Sequence, residues 1–160
     1  MNKSYFSDVL AKIPYGISVV TTGRGGAKVE NGLTVSWLSQ VSFDPPMLMI
    51  AVDRLHYSVD LLRSTKTFCV NLLGEDQLTL ASRFAKRATT ADDKLADVAQ
   101  RPSDSGAAIL TDSVAYFDCE VGSIVEAGDH FVVIGRIQDA AVLNERAPLT
   151  SASGLRYRPR

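Results

Sequence analysis

The stretch 31–52, NGLTVSWLSQVSFDPPMLMIAV, constrains the fold of this chain more than any other. Its two ends are apolar and typical of strands, and the run 47–52 has so little polar alternation that we expect burial on both of its faces. Between these ends, small polar side chains stand where a core strand would carry Val or Ile: Thr34, Ser36, Ser39, Gln40 and Ser42. Hydroxyl and amide groups beside buried strands predict a site for an oxygen-rich ligand.

The remaining segments alternate β-rich runs with short helical patterns. Helices are predicted at 4–12, 57–64 and 77–84. Four apolar residues of the first helical pattern fall on one face before Pro14 ends it: Phe6, Val9, Leu10 and Ile13. Further strands are predicted at 17–22, from the glycine-rich turn 23–26 to about residue 36, and at 67–73. The clearest hairpin joins the runs 115–126 and 130–143.

About six or seven strands with a few short helices predict a β-barrel with helical additions. There is no internal repeat or linker, so we expect a single domain over residues 1–160. A Rossmann fold is disfavoured because repeated strand–long helix units and a GxGxxG motif are both missing from the sequence. The polar segment 86–105 is interpreted as a surface excursion with little core, acting as a lid or a dimer contact. The basic tail 154–160 carries Tyr157 as a candidate anchor.

Charge and hydropathy exclude several classes of partner. A formal net charge of −1 gives no general attraction to nucleic acid or to a membrane surface, although Arg83, Lys86 and Arg87 form a local basic cluster. The sequence begins without an apolar signal segment, and its longest apolar run is too short to span a bilayer, so we expect a cytoplasmic protein. Cys69 and Cys119 lack CxxC spacing and are expected to be buried, reduced thiols.

The sequence carries no self-sufficient catalytic motif. HExxH, P-loop and EF-hand patterns do not occur, and no Ser-His-Asp order stands out. His56 and His130 are the only histidines, and because their flanks offer no ligand spacing, no metal site is expected. If the protein is an enzyme, a bound cofactor should carry its chemistry.

In the order of its segments the chain resembles the flavin reductase-like family, also called the FMN-binding split barrel. The segment 13–22, IPYGISVVTT, resembles the family's F-P-T-G-V-x-V-V-T-T, with Tyr15 where Thr is common. Residues 31–46 resemble its G-x-T-x-S-S/W-x-x-x-V-S-x-x-P-P core, with Trp37 where Ser or Asn is frequent. Further similar stretches are 52–58, 68–84 and Gly128-Asp129-His130, the last like the family's G-D-H turn. Together these stretches cover most of the chain.

The resemblance implies a mainly β fold with short helices, a six-stranded Greek-key split β-barrel that forms a homodimer with flavin near the dimer groove. It implies FMN, with FAD as the alternative, and NADH or NADPH as the donor that passes hydride to flavin N5. The implied enzyme is an NAD(P)H:flavin oxidoreductase whose reduced flavin or electrons go to a partner monooxygenase or another acceptor. The alternative is a tightly FMN-bound electron-transfer or flavin-binding protein without nicotinamide activity, and the third reading is a flavin-free dimeric scaffold.

The resemblance also implies three flavin-contacting segments. In order, they comprise Thr34, Val35, Ser36, Trp37, Ser39 and Gln40; Asp53, Arg54 and Ser58; and Ser82, Arg83, Phe84 and Ala85. Backbone N–H groups of the first segment would bond the ring edge, which becomes electron-rich on reduction. The side chains of Ser36, Ser39 and Gln40 would bond ribityl or phosphate oxygens, while Leu33, Val35 and the run 47–52 would hold the barrel together.

Four residues of these segments and of the G-D-H turn have alternative interpretations. Arg83 and, less strongly, Arg54 are candidate cations for the flavin phosphate, and the alternative for both is a solvated surface ion pair. His130 is the candidate catalytic residue, positioning the nicotinamide amide or stabilising charge, and the alternative is an inert residue at a hairpin mouth. Trp37 either lies against the flavin edge or fills the dimer core.

Overall fold

The computed structural model describes residues 3–23, 30–86 and 94–153. Within them the helices are α1 (Lys3–Leu10), α2 (Ser58–Thr65) and α3 (Leu78–Ala85), with a 3-10 turn at Ser151–Ser153. The strands are β1 (Ser18–Gly23), β2 (Glu30–Val35), β3 (Leu38–Ser42), β4 (Met47–Asp53), β5 (Thr67–Leu72), β6 (Gln100–Pro102), β7 (Ala108–Leu110), β8 (Ala115–Ala127) and β9 (His130–Val142). The expected class, mainly β with short helices, is confirmed.

One antiparallel sheet dominates the fold. Its seven strands run in the order β2-β1-β5-β8-β9-β4-β3, so β2 and β3 lie at its opposite ends. These two end strands are consecutive in the chain and are joined by Ser36 and Trp37 alone. The sheet must therefore curl until its ends meet, although β2 and β3 are not paired and the sheet is not closed by hydrogen bonds.

The curled sheet surrounds an apolar core. Val35 from one end strand and Ile50 from β4 belong to the same buried cluster as Phe68 from β5. Gly135 on β9 is required beneath Phe68, because a Cβ built at this glycine would lie 2.5 Å from the phenyl ring. The predicted hairpins of β1 with β2 and of β8 with β9 are both confirmed by their antiparallel registers.

β4 and β9 correct the expectation that the run 47–52 is buried on both faces. Burial alternates strictly along β4 and along the first half of β9, so one face packs into the core and the other is half-exposed. Met49, Ala51, Val132 and Ile134 share this outer face, because directly paired residues of antiparallel strands point to the same side. Within the described residues, this apolar outer face is only half-buried.

A second apolar cluster corrects the interpretation of 86–105 as an excursion with little core. Leu95 is buried with Phe84 of α3, and the two-stranded sheet of β6 with β7 brings Leu110 into the same cluster. Lys94 is also buried, at 8% exposure. The described part of this segment therefore packs on α3 through the side chains of Lys94 and Leu95.

The first helix forms as predicted, but its apolar residues remain outside the core. Phe6, Val9, Leu10 and Ile13 are between 44% and 57% exposed. Of the predicted turn 23–26, only Gly23 is among the described residues. The tail that contains Tyr157 lies outside them, and so does Arg87 of the predicted basic cluster. Within the described residues, no helix has the length and apolar character needed to cross a membrane.

Candidate functional site

A half-exposed corner of the sheet brings Trp37 and His130 together. Their ring centroids are 4.7 Å apart and the ring planes are inclined by 44°. Trp37 precedes β3, and its carbonyl accepts a hydrogen bond from the N–H of Ala51 on β4. His130 begins β9 and pairs with Asp53, the last residue of β4. Strand β4 thus sets the distance between the two rings, which come from segments more than ninety positions apart in the chain.

The hairpin turn orients the imidazole of His130. Gly128 takes a positive φ of 61°, which a glycine adopts without a Cβ penalty, and this places Asp129 beside the following histidine. Nδ1 of His130 lies 2.6 Å from Oδ1 of Asp129. A carboxylate only accepts hydrogen bonds, so Nδ1 carries the donated proton and Nε2 remains for another partner.

Arg54 is held by the same turn. Its backbone N–H donates to Asp129 and its guanidinium donates to the carbonyl of Gly128 at 3.0 Å. Glu126 lies 3.6 Å away in an exposed ion pair. The guanidinium also lies 5.3 Å from the ring centre of Phe131. These contacts hold the Arg54 cation in place at the edge of the corner. Its pair with Glu126 is an exposed ion pair, as the surface alternative describes.

Arg63 of α2 was not among the predicted residues. Its guanidinium lies 4.6 Å from the centre of the Phe131 ring, so two cations share one aromatic surface close to His130. Nothing in the sequence distinguished Arg63 from other arginines, because the contact depends on how α2 closes over the sheet.

The rest of the second predicted segment serves the backbone of the turn and the interior. Asp53 accepts a hydrogen bond from the N–H of Leu55 at 2.8 Å. Ser58 is fully buried, and its hydroxyl accepts a hydrogen bond from Nδ2 of Asn31 at 3.0 Å. Oδ1 of Asn31 is buried without a hydrogen-bond partner within the described part of the chain. Asn31 was not predicted as a site residue, although it is the first residue of the stretch 31–52.

The polar residues between β2 and the middle of β3 remain accessible. The hydroxyl of Ser36 is half-buried and makes no hydrogen bond to another described residue. Ser39 and Gln40 are exposed, and each bonds only a backbone carbonyl one or two positions away. These three side chains are therefore available to a ligand at small cost.

Thr34 and Val35 use their side chains inside the fold. The hydroxyl of Thr34 donates to the carbonyl of Ala81 on α3 at 2.6 Å, and Val35 is 2% exposed in the core. The hydroxyl proton of Thr34 is therefore engaged by α3, so this side chain offers a neighbouring ligand its acceptor oxygen, while Val35 offers its backbone.

The third predicted segment lies on α3, and its side chains point in different directions. Phe84 is fully buried against Gly32, where a Cβ would come within 2.5 Å of its ring. Arg83 donates to the carbonyl of Ala96 at 2.6 Å, and Ser82 donates to Leu78 within the helix. Ala85 is exposed. The contacts of these residues connect α3 to β2 and to 94–97, and among the described residues none joins them to the Trp37–His130 corner.

The two cysteines have no place in this chemistry. Both are free and fully buried. Burial, assisted by the nearby Asp118 carboxylate, raises the pKa of Cys119 to about 12 and raises the pKa of Cys69 as well. Both side chains are therefore neutral thiols and poor nucleophiles at neutral pH.

No group of three metal-ligating side chains occurs within 3–23, 30–86 and 94–153.

The residues of the corner fit a flavin. An isoalloxazine ring needs a flat apolar surface, and the Trp37 side chain offers one at 42% exposure. Ribityl and phosphate oxygens need short polar donors and a cation, which Ser36, Ser39, Gln40 and Arg54 can supply.

Comparisons with known proteins point to the same chemistry. Residues 10–158 match the family described as the flavin reductase like domain. A flavin reductase of Pseudomonas putida is 34% identical over 149 residues, spanning 93% of this chain and 85% of the relative. The reductase subunit of a flavin-dependent monooxygenase from Mycobacterium tuberculosis is 34% identical over 133 residues, spanning 83% of this chain and 68% of the subunit.

A solved structure shares the fold closely. The NADH:FAD oxidoreductase of Streptomyces globisporus, in complex with NAD and FAD fragments, superposes with a TM-score of 0.85 at 26% identity. The match covers 99% of this chain and 93% of the other.

Proposed function

Because the chain belongs to the family of flavin reductase-like domains, we propose that it is a flavin reductase that uses NADH or NADPH to reduce FMN, with FAD as the alternative flavin. The proposal treats residues 1–160 as one domain and the curled sheet, which has seven strands rather than the expected six, as a split barrel. The short link through Ser36 and Trp37 between the two end strands supports that architecture.

The observation that carries this proposal is the contact between Trp37 and His130. Flavin supplies the hydride acceptor when it is bound, and hydride transfer needs close stacking more than it needs a general base. Asp129 engages Nδ1 of His130, which leaves Nε2 as the ring nitrogen for another partner. His130 would position the nicotinamide amide there, while the Trp37 ring limits access of water to the reacting faces.

Residues of the linker and of β3 would hold the flavin. The backbone of 34–37 would bond the ring edge, and Ser36, Ser39 and Gln40 would bond ribityl or phosphate oxygens. Arg54, which follows β4 and is held by the β8–β9 turn, would supply a cation. Arg83 remains a candidate cation on α3, although its present hydrogen bond to Ala96 must then be shared or released.

We propose that two copies associate through the outer face of β4 and β9. This face is apolar and half-exposed in one chain, and Val125 of β8 extends it at 51% exposure. Large uncovered apolar faces are unusual in monomers. Trp37 lies beside Ala51 at the margin of this face, so dimer formation would border the proposed flavin site and reduce its exposure to water.

The proposed acceptor of reduced flavin is a partner monooxygenase. A similar protein from Mycobacterium tuberculosis is a monooxygenase reductase subunit, and a solved relative is the flavin reductase component of a tryptophan halogenase. The alternative function is a tightly bound flavin protein without nicotinamide activity. The exposed position of Ser39 and Gln40 favours the reductase function over this alternative, because a flavin held by exposed groups can exchange.

Steady-state oxidation of NADH and NADPH, measured with increasing FMN or FAD, tests the proposal. A flavin reductase oxidises the nicotinamide only when flavin is present, and its rate saturates with flavin concentration. Tight flavin binding without nicotinamide oxidation would support the alternative function. A protein that binds neither flavin would contradict both functions.

A further inference from the structure

Lys94 is a buried lysine that the proposed reaction does not use. The residue is only 8% exposed. Nζ donates to the carbonyl of Gly32 at 3.5 Å, to that of Phe84 at 3.4 Å, and to that of Lys86. A lysine this buried needs partners for its N–H donors, and these three carbonyl oxygens are among them.

The carbonyl acceptors match the chemistry of an ammonium group. Phe84 and Lys86 stand at the C-terminal end of α3, where helix carbonyls lack partners within the helix and form the negative end of its dipole. An ammonium group has three N–H donors and no acceptor, which suits a cluster of carbonyl oxygens. Lys94 therefore satisfies the end of α3 from inside the protein.

The third acceptor, Gly32, connects this helix end to the site. Gly32 lies on β2, two residues before Thr34, whose hydroxyl donates to Ala81 on the same helix. The strand then runs directly into Ser36 and Trp37. Lys94 and Thr34 thus form two parallel connections between α3 and the strand that leads into the proposed flavin site.

We propose that Lys94 is a positioning residue for flavin binding: it holds the C-terminal turn of α3 against β2 and so sets the distance between the first and third segments that are predicted to contact flavin. The inference rests on the proposed function. Lys94 itself lies beneath the surface and acts through Gly32 and Phe84 rather than by touching flavin.

The test replaces Lys94 by Met, which keeps an unbranched apolar stem and removes all three donors. We expect the flavin dissociation constant to rise about tenfold, the range expected for a lost buried hydrogen-bonding group. At saturating flavin, kcat and the nicotinamide KM should stay within about twofold of wild type, because the nicotinamide corner is untouched.

Arg146→Met is the matched control. Arg146 also joins distant segments, through Asp76 and the carbonyl of Asp112, and within the described part of the chain its hydrogen bonds reach neither β2 nor α3. Both variants should lower Tm, and only Lys94→Met should weaken flavin binding. If Lys94→Met does not fold, Lys94→Gln, which keeps two N–H donors, is measured in its place and should show a smaller rise in the same constant.

Two results would overturn the inference. The first is a flavin dissociation constant for the Lys94 variants equal to that of Arg146→Met, which would make Lys94 a structural residue only. The second is an equal loss of kcat and flavin affinity. Failure of the wild-type protein to bind flavin is a separate outcome, since it contradicts the proposed function before any variant is compared.

Discussion

At the scale of single residues, the chemistry of the site depends on contacts between side chains far apart in sequence. Asp129 orients His130, Trp37 lies against the imidazole, and Arg54 is held by Gly128. The resemblance to a known family supplied Trp37, Arg54 and His130 as candidates. It could not supply Arg63, Asn31 or Lys94, because their roles come from the packing of α2, α3 and the segment 94–97 against the sheet.

Replacing His130 by Ala should weaken nicotinamide use while leaving the flavin in place. The nicotinamide KM should rise roughly tenfold, because one hydrogen-bonding group that orients the donor is lost. The flavin dissociation constant should stay within about twofold of wild type. Stopped-flow and equilibrium fluorescence titrations measure the two quantities separately.

Gln138→Ala, on the same strand, is the control for His130→Ala. Gln138 is exposed and bonds only the carbonyl of Arg136, so neither constant should change. An unchanged rate and an unchanged nicotinamide affinity in His130→Ala would remove this histidine from the mechanism.

The two buried thiols should make the protein lose stability at alkaline pH. The folded pKa of Cys119 is raised to about 12 from an ordinary value of 9.0, and that of Cys69 is raised too. The folded state therefore keeps its thiol protons after the unfolded chain has released them, so their contribution is complete below pH 9 and is lost as pH rises toward the folded pKa. The loss should be roughly 1 kcal/mol per thiol between pH 9 and pH 10.

Urea denaturation of the wild type and of the Cys69→Ala/Cys119→Ala double variant at pH 8, pH 9 and pH 10 checks this pH dependence. The variant should be less stable at pH 8 because of the cavities, yet lose less stability between pH 9 and pH 10. Parallel pH profiles for the two proteins would show that the thiols do not titrate as expected.

At the scale of elements, hydrophobic pattern and turn chemistry were sufficient for most of the fold. The long hairpin of β8 and β9, the pair of β1 and β2, and all three helices lie close to their predicted positions. β6 and β7 were missed because three-residue strands carry almost no periodic signal. The apolar run of β4 misled the burial prediction, since sequence alone does not say which molecule covers the second face.

Gly135→Ala should destabilise the sheet where β9 passes beneath Phe68. The added Cβ would lie 2.5 Å from the phenyl ring and 3.1 Å from Cβ of Cys119, so the core must shift. We expect a loss of about 1–3 kcal/mol in the free energy of unfolding, the usual cost of overpacking. Chemical denaturation measures it.

Gly122→Ala on the neighbouring strand is the matched substitution. Its new Cβ would meet its nearest atom, the carbonyl oxygen of Ile134, at 3.5 Å, an ordinary contact distance. Its unfolding free energy should differ from wild type by less than about 0.5 kcal/mol. Equal destabilisation of the two variants would mean that the contact between Gly135 and Phe68 does not control this part of the core.

At the scale of the whole molecule, the curled sheet leaves one apolar face open beside the proposed site. Met49 and Ile134 form the centre of this face and Trp37 lies at its margin. The sequence anticipated the apolar character of β4 on both sides, and the fold resolves it into one core face and one face available to a second copy. Association of two copies therefore belongs to the same proposal as the flavin site.

Ile134→Lys should prevent this association. A lysine at the centre of the outer face would bury an unpaired charge in the proposed interface, so the dimer should dissociate while the monomer stays folded. Analytical ultracentrifugation measures the mass, and circular dichroism checks the fold. Val142→Lys, at a residue that is 68% exposed near the other end of β9, should leave the mass unchanged. A wild-type protein that sediments as a monomer would contradict the proposed dimer.

The most direct measurement of the proposed function is anaerobic mixing of the flavin-loaded wild-type protein with NADH or NADPH while the visible absorbance of the flavin is recorded. If the Trp37–His130 corner brings nicotinamide and flavin together, at least one donor bleaches the flavin within the turnover time, and His130→Ala bleaches more slowly at low donor concentration. A bound flavin whose absorbance neither donor changes would contradict a reductase function.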